Sequence, residues 1–463
     1  MQTISQTSAC LILNPDNQAN WTPQEFKALE LWNGDELWAW HQLCIGKIAD
    51  FKNVDLDRPI IQKLLAIKRQ ITVPSNNLSQ QSNPQKTEPG TTLIQSKNFL
   101  EIILKREPFR STLPEKLSIA NVSIGDKINL NSSTIQQELE FKAVTFLEDV
   151  NLFKTNFRNA ISFVGEVSED SIKKVEFQGG LFLNNSKFDK KIKIDQAQFI
   201  PKKSTVDFIT LNLSNTAIND DLDLKNITFD VGEDQARTRP LISLESATIE
   251  QSLVLKNIDF KGLGEKAINH NYLQTKGLAV HKSLVFNDDF NFSCKTNNTV
   301  CNGQVNLNGI NVNKLTFAVA LKNDATEENA SYLNNQSVVD LEDTKANIFQ
   351  IVGGNTLVTQ VEAMGNSIDD DQTPAQCWWK LDGFQYQALN DTAFYSIEKC
   401  IETQYSQENN WADPSEFSID RSELIQPYEQ LAEAASSLGL SDKQREFLYT
   451  TKKSKVMAIA THG

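Results

Sequence analysis

The chain has 463 residues, of which 40% are hydrophobic and 22% are charged, with a formal net charge of −14. This composition is that of a protein with a buried core, and the acidic balance argues against a generic nucleic-acid binder, whose surface would be basic. The acidity is greatest in residues 355–463, which carry 17 acidic and 8 basic side chains. We expect these charges to form a solvated surface that aids solubility.

Cysteine and histidine usage predicts no metal centre. The six cysteines contain no C-x-x-C pair and the four histidines are scattered, whereas zinc ligation needs clustered thiolates or imidazoles. Cys294 and Cys301 bracket the polar loop KTNNTV and would form a disulfide in an oxidising compartment. Because nothing else indicates export, we expect reduced thiols and a cytoplasmic protein.

Targeting signals are not recognisable in the sequence. The first residues contain neither a basic n-region nor a long apolar stretch, and no run of 18 apolar residues occurs in the chain. We therefore predict neither a signal peptide nor a membrane span.

Residues 1–72 are predicted to be a helical N-terminal segment. Thr22 and Pro23 form a cap followed by proline at the first helical position, and ELWAWHQLCIGKI, residues 36–48, spaces its apolar residues nearly as a helix does. Four of the seven tryptophans lie between residues 21 and 40. Such a cluster could bind a ligand, but we expect it to be the core of a small helical cap.

A polar linker and a capping segment are predicted next. Residues 73–97 contain three prolines and too few apolar side chains to fold alone. Residues 98–116 are the capping segment, in which a short helix is expected over 97–106. Phe99, Ile102 and Ile103 share one face of that helix, and Pro108 ends it.

Residues 117–353 carry a repeat with a step of eleven residues. Pairs of alternating apolar residues begin at positions 128, 139, 150 and 161, and the same step separates the pairs at 181 and 192, 211 and 222, and 242 and 253. A longer period is superimposed, because the pairs that begin at positions 150, 181, 211 and 242 are almost evenly spaced along the chain. From residue 278 the pattern loosens.

This repetition predicts a β-solenoid. Short strands point alternate residues inward, and stacked repeats build a continuous core that no single repeat could cover. Asn and Asp beside the strands, as in NLN and NLS, suit tight corners because they tolerate left-handed backbone angles and bond their own backbone. The extra residues of each long turn fall at 164–174, 200–207, 230–240 and 261–277. We expect these loops to occur at the same point of each repeat, that is, with a common phase. They would then project from one edge, where repeat proteins often bind partners.

Residues 354–463 are predicted to be an aromatic and helical C-terminal cap. QCWWKLDGFQYQAL ends the repeats, and two helices follow. Tyr428, Leu431 and Leu438 lie on one face of the first helix, Gly439 closes it, and Ser441 caps the second.

Three stretches carry a resemblance to a known family. They are SKNFLEIIL leading into LSIANVSIGDKINLNSSTI, then WWKLDGFQYQAL, and QPYEQLAEAASSLGLSDKQREFL. Together they resemble a bacterial family of irregular pentapeptide-repeat-like proteins that closes with a Pro-Tyr-Glu-Gln-Leu helix pair, over residues 96–455. The resemblance implies a mainly-β fold, a right-handed β-helix between helical ends. Members often bear the label membrane-associated oxidoreductase, but GLG at 262–264 has no third glycine for a dinucleotide fingerprint, so no cofactor is predicted.

Three functions are compatible with such a rod. Loops along one edge and capped ends favour a non-catalytic scaffold or protein-interaction module, which binds another protein through those loops or the end caps; a homo-oligomer would use the same surfaces. The first alternative is a carbohydrate-active enzyme on one face, which needs clustered carboxylates. The second is a DNA mimic that inhibits a DNA-binding enzyme through regular acidic rows. No direct binding of nucleic acid is predicted.

Two groups of residues are candidate sites, and no catalytic residue is predicted. The first is the acidic cluster Asp220, Asp221 and Asp223, in which the last two point outward together and for which we expect a solubilising turn. The second is an aromatic group that would form either a binding patch or a plug for the open end of the rod, where strand edges would otherwise be exposed. We expect the plug; its residues are Trp378, Trp379, Phe384 and Tyr386.

Overall fold

A computed structural model of the chain consists mainly of strands in large parallel sheets, with a few helices, as expected of the mainly-β class. The chain forms two compact units, Met1–Thr205 with Thr210–Asp220, and Val206–Ile209 with Asp221–Gly463. The structure describes residues 32–54, 57–72, 93–94, 99–105, 110, 113–168, 171–200, 209–230, 240–261, 271–287, 295–296, 299–300, 304–318, 338–352, 379–380, 383–391, 393–394, 397–398 and 425–462.

Helices open the described part of the first unit. They span Gly34–Cys44 (α1), Arg58–Thr72 (α2) and Phe99–Lys105 (α3), with a 3₁₀ turn at Phe51–Asn53. Asn33 and Glu36 begin α1 with a capping box, in which each side chain accepts the other residue's backbone N–H, at 2.9 and 2.7 Å. The predicted helix over 36–48 ends early, at Cys44, because the chain turns into the short strand Ala49–Asp50. The helix predicted over 97–106 is confirmed as α3.

The tryptophan cluster forms the core of this helical segment. Trp32, Trp38 and Trp40 are all buried. The Trp32 ring lies 5.0 Å from the ring of Phe99 in α3, and the Trp38 indole N–H donates to Asp57 Oδ2 at 2.9 Å. The prediction of a packed cap core is therefore confirmed for these three tryptophans, whereas Trp21 lies outside the described residues.

The other described strands of the first unit align, in parallel, as four ladders, apart from one antiparallel pair, Glu166–Val167 and Ile172–Lys173. Ladder 1 consists of Ile128–Asn129, Val150–Asn151, Leu181–Phe182 and Leu211–Asn212. Ladder 2 consists of Thr134–Ile135, Asn156–Phe157, Lys187–Phe188 and Ala217–Ile218. Ladder 3 consists of Ala49–Asp50, Lys116–Ala120, Glu138–Lys142, Ile161–Val164 and the first half of Ile192–Phe199. Ladder 4 consists of Leu93–Ile94, Ser123–Ile124, Thr145–Phe146, Val175–Phe177 and the second half of Ile192–Phe199.

Residues that the sequence repeat makes equivalent are paired across these ladders. Ile128 pairs with Val150 and Leu139 with Ile161, two short steps on in each case, and Val150 pairs with Leu181, one long period on. All five side chains are buried. The apolar residues that alternate along the sequence therefore stack inward from one repeat to the next, which confirms the periodicity as a strand register.

The described strands of the second unit are also parallel and fall into two sets. One set consists of Ile242–Ser243, Asn271–Gln274, Gln304–Asn306, Val338–Asp340 and Trp379–Lys380. The other consists of Leu222–Asp230, Ser252–Lys261, Ala279–Asn287, Asn311–Ala318, Lys345–Val352 and Gln385–Leu389, with Thr248–Ile249 paired to the start of Ala279–Asn287. Lys295–Thr296 and Thr299–Val300 form a separate antiparallel hairpin.

The looser pattern after residue 278 has a structural cause. Leu284 pairs with Leu315, Leu315 with Phe349, and Phe349 with Leu389, so each pair of partners is further apart along the chain than the pair before it. The inward positions continue to pair although the connections between them lengthen and the register shifts between Val280 and Ser283. A fixed sequence period therefore fails in this region while the sheet continues.

The corners after ladder 1 use residues with left-handed backbone angles. Ser132, Lys154, Asn185 and Asn215 all have φ between 55° and 57°. The side chain of the asparagine that precedes such a corner folds back on the main chain, since Oδ1 of Asn212 accepts the N–H of Ser214 at 3.0 Å. The predicted role of asparagine at tight corners is confirmed in both respects.

Replacing Asn185 by valine is expected to lower the free energy of unfolding by about 1–2 kcal/mol, because a β-branched side chain opposes the left-handed conformation at φ 57°. Urea denaturation followed by circular dichroism measures this loss. Asn185→Gly is the matched control and should be tolerated, since glycine adopts this conformation readily. Equal losses of unfolding free energy in the two variants would show that the left-handed φ angle of residue 185 is not the cause.

The insertion at 164–174 departs from the predicted common phase. The loops 200–207 and 230–240 follow the ends of strands, but this insertion interrupts one: Val164 pairs with Asp195 and Val175 with Ala197, so residues 165–174 stand opposite Gln196 alone. The chain can leave the ladder here because Gly165 has no side chain; a Cβ would lie 2.5 Å from Cβ of Gln196. The expectation of a single phase for all four loops is therefore wrong for 164–174, and the segment predicted as the fourth loop contains the strand Asn271–Gln274.

Two helices close the second unit, Ile425–Ser437 (α4) and Ser441–His462 (α5). Tyr428 and Leu431 of α4 are buried, as is Phe447 of α5. Gly439, at φ 74°, donates its N–H to the carbonyl of Ser436 at 3.1 Å and ends the first helix. The predicted helix pair, its apolar face and its glycine stop are confirmed.

Candidate functional site

The aromatic candidates near residue 380 contribute to packing in the second unit. Phe384 is buried, with its ring 5.4 Å from that of Phe349 and 5.3 Å from that of Tyr386. Trp379 lies in a strand, but its side chain is outside the described residues, as is all of Trp378. The described members therefore favour the expected plug over an open binding patch.

The Tyr386 hydroxyl is buried and has no hydrogen-bond partner among the described residues. Burial, and after it the negative charge of Glu433, raises the pKa of this phenol far above its usual range. The hydroxyl is therefore neutral at physiological pH, and it is poorly suited to act as a nucleophile or a general base.

The acidic candidates are engaged individually. Oδ1 of Asp221 accepts the backbone N–H of Ser252 at 3.0 Å. Asp223 is buried, and its Oδ2 lies 3.2 Å from Nζ of Lys225. Asp220 belongs to the first unit, where it is half-buried at the end of ladder 2. Within the part of the chain that the structure describes, no group of three His, Cys, Asp or Glu side chains is placed to hold a metal ion.

The N-terminal edge of ladder 1 is held by side chains of α3. Glu101 Oε1 accepts the backbone N–H of Asn129 at 2.9 Å, and Lys105 Nζ donates to the carbonyl of the same residue at 2.6 Å. These two contacts replace the ones that a neighbouring strand would make with Asn129. The helix thus satisfies a strand edge that would otherwise be open to pairing.

Asn390 likewise provides side-chain partners for the main chain of a strand, here beside the last described strand of the second unit. Its Oδ1 accepts the N–H of Ile351 at 3.0 Å, and its Nδ2 donates to the carbonyl of Ile351 at 2.6 Å. Oδ1 also accepts the N–H of Ala393 at 3.1 Å, which begins the next turn of chain. The Asn390 side chain therefore extends the pairing along the strand as far as Ile351, and also holds the start of the next turn of chain.

Replacing Asn390 by leucine is expected to lower the free energy of unfolding by about 1–3 kcal/mol, because it leaves the amide and carbonyl of Ile351 without partners. Asn347→Ala is the control in the same unit, since the Asn347 side chain makes an exposed contact with Asn313 and holds no strand edge. Thermal denaturation of both variants tests the difference. A loss in the control as large as that in Asn390→Leu would argue against the strand-edge role.

The 164–174 insertion forms a hairpin of Glu166–Val167 and Ile172–Lys173, called here the Glu166 hairpin. Val167 and Ile172 stand opposite each other, and they are 66% and 53% exposed. Two large apolar side chains on one face of a ribbon, both exposed, form a small patch of the kind found at interaction sites. The sequence predicted this loop but not the orientation of its apolar residues.

The polar face of the Glu166 hairpin is tied to the body of the first unit. Glu166 is ion-paired with Lys52 and lies 3.6 Å from Nζ of Lys142, and the hydrogen bond with Lys52 lowers the pKa of the Glu166 carboxyl. Lys173 Nζ donates to Oδ1 of Asn121 at 3.1 Å. The hairpin therefore has its polar face toward the protein and its apolar face toward solvent, the reverse of ordinary surface strands.

Acids on the surface of the first unit lie beside cations. Arg158 lies 2.8 Å from Asp189, and Lys116 lies 2.9 Å from Glu138. In the second unit the buried Asp223 also has a lysine neighbour. The hypothesis of a DNA mimic requires a continuous negative row. The described part of the surface has mixed charge at these positions instead.

Cys44, at the end of α1, is buried and disulfide-bonded. The expectation of reduced thiols is therefore wrong for this residue. No other cysteine stands close to Cys44 in the sequence, so spacing alone could not reveal the bond. The Cys294–Cys301 pair lies outside the described residues.

Compared with protein-family models, with curated proteins and with solved structures, the chain has no match. In the ranges that the structure describes, every helix is too short or too polar to cross a bilayer.

Proposed function

We propose that the chain is a non-catalytic β-solenoid scaffold that binds another protein. The order of the ladders in the first unit supports the solenoid: the chain passes from ladder 1 through ladders 2, 3 and 4 and re-enters ladder 1 in the next repeat. Such a path wraps a single core, and each repeat covers the apolar residues of its neighbours. A right-handed path follows the usual hand of parallel crossovers. The helical segments serve as caps.

The observation that carries the binding function is the inverted Glu166 hairpin. Val167 and Ile172 expose apolar surface although the inward-facing residues of the neighbouring ladders, such as Phe163 and Phe177, are fully buried. Exposing these side chains has a hydration cost that a partner would remove. The ion pair with Lys52 holds the hairpin in this orientation, so Val167 and Ile172 stay exposed in a fixed position.

The two alternative functions have less support. An enzyme would need carboxylates that act together, whereas Asp221 and Asp223 are each engaged by a different neighbour. A DNA mimic would need an unbroken acidic row. A scaffold needs only a rigid frame and an exposed contact surface.

Affinity capture tests this proposal. The full chain and its Val167→Ser/Ile172→Ser variant are immobilised, exposed to extract from the source cells, cross-linked and analysed by quantitative mass spectrometry. We expect one protein to be recovered stoichiometrically by the wild type and lost with the variant. Recovery of a DNA-binding enzyme through an acidic face would favour mimicry. No protein partner, combined with a higher melting temperature on adding an anionic glycan, would favour an enzyme.

A further inference from the structure

The backbone of the Glu166 hairpin has edges that no other described strand covers. Its two strands form a sheet of their own, and among the described residues neither strand has a second neighbour. Ser168 N–H donates to the carbonyl of Ser171 at 2.9 Å, which makes this pair a hydrogen-bonded one. Hydrogen-bonded and non-bonded pairs alternate in an antiparallel ribbon. Val167 and Ile172 are therefore the non-bonded pair, and their N–H and C=O groups point away from the hairpin.

The residues that expose apolar side chains are thus also the residues whose main-chain groups are available to a further strand. Open edges of this kind add an extended segment from another chain, with main-chain hydrogen bonds giving affinity and alternate side chains giving selectivity. Two side chains offer far less surface than the roughly 800 Å² per partner of a stable interface between folded subunits. This argues for strand addition and against face-to-face packing of a second copy of the chain.

The charge beside the Ile172 strand indicates the chemistry of the added segment. Lys173 bonds the neutral amide oxygen of Asn121. Burial and then the charge of Lys52 lower the pKa of the Lys173 ammonium, and the smaller opposing effects of Glu166 and Asp50 do not reverse this. Side chains of Lys173 and Ile172 fall on opposite faces of the strand, because successive residues alternate. A strand that pairs with Ile172 would therefore place an apolar residue beside Ile172 and an acidic residue toward Lys173.

We infer that the Ile172 edge of the Glu166 hairpin binds an extended protein segment in which apolar and acidic residues alternate, as a third strand. This inference rests on the proposed scaffold function and names its binding edge and partner class. The main chain of Ile172 donates and accepts the inter-strand hydrogen bonds. Its side chain packs against the apolar residues of the segment, and Lys173 pairs with an acidic one.

Fluorescence anisotropy with the full chain tests the inference. The probes are the labelled peptides Glu-Val-Glu-Val-Glu-Val and Lys-Val-Lys-Val-Lys-Val, and a Glu/Val peptide with N-methylated amides that cannot donate to the edge. We expect the Glu/Val peptide to bind, and the other two to bind about tenfold more weakly or not at all. Equal binding of all three peptides, or no binding of any, would overturn the inference.

Variants of exposed residues locate the site. Ile172→Ser should weaken Glu/Val binding by about tenfold, since it removes the apolar contact, and Lys173→Ala should weaken it and reduce its dependence on salt. Ile48→Ser is the matched control, because Ile48 is 54% exposed elsewhere in the same unit. An effect of Ile48→Ser equal to that of Ile172→Ser, or a dimer abolished by Ile172→Ser, would overturn the inference.

The two experiments fail differently. If capture recovers a hairpin-dependent partner but the peptides do not bind, the scaffold function stands and strand addition is wrong. If capture recovers no partner and the peptides do not bind either, both proposals are wrong.

Discussion

Phe177→Ala is expected to lower the free energy of unfolding by about 3–5 kcal/mol, the largest loss we predict for a single core residue. The Phe177 ring is fully buried in ladder 4, stacked between Phe146 at 5.0 Å and Phe199 at 4.6 Å, with the Phe163 ring edge-on at 5.5 Å. Truncation leaves a cavity between three repeats. Because each repeat covers the core of its neighbours, a gap in this column weakens the contacts on both sides.

Phe182→Ala is the matched control. Phe182 follows in the same repeat but is only half-buried, since its neighbour Leu181 takes the inward position. Urea denaturation of both variants should give a clearly smaller loss for Phe182. Equal losses would mean that the stacked column does not stabilise the unit as argued, and would weaken the solenoid proposal with it.

The inward columns could be predicted from the sequence because strand geometry is local. Alternate residues point to opposite faces whatever the distant chain does, so paired apolar positions such as Leu139 and Ile161 identify the buried face. Corner asparagines are local as well, since Asn212 bonds the backbone two residues on. These local features predicted the register of the repeats, which the structure confirms.

The candidate interaction site could not be predicted in the same way. An insertion adds the same number of residues to the sequence period whether it follows a strand or interrupts one. The longer sequence period therefore did not reveal that the chain leaves the ladder at Gly165 to form the hairpin. Its orientation depends on Lys52 and Asn121, which lie far away in the sequence. The only local signal was the presence of Val167 and Ile172 among the polar residues 166–174.

The end contacts show the same limit. Asn390 looks like an ordinary polar residue after a strand, and its role appears only when Ile351 stands beside it. The contacts of Glu101 and Lys105 with Asn129 likewise join the capping segment to the first repeat. Sequence patterns predicted that the ends would be capped; the atoms that cap them depend on tertiary contacts.

Breaking the disulfide of Cys44 is expected to lower the free energy of unfolding of the first unit by about 2–4 kcal/mol, because the cross-link restricts the unfolded chain. Cys44 ends α1 beside the buried tryptophans, so loosening this end should also expose Trp38 and Trp40. Thermal denaturation with and without reductant, followed by tryptophan fluorescence, measures both effects. In Cys44→Ser the stability should already be reduced, and reductant should change it less than in the wild type.

Peptide mapping without reduction decides whether this bond exists in the protein as produced. Protein made in an oxidising compartment should yield a cross-linked peptide that contains Cys44, and protein made in a reducing one should yield the free thiol with a lower melting temperature. Disulfides persist where the surroundings are oxidising, so a strong dependence of stability on this bond would favour such a compartment over the cytoplasmic location expected from the sequence. Alkylation of Cys44 in unreduced, denatured protein from the oxidising preparation would contradict the disulfide and leave the cytoplasmic expectation standing.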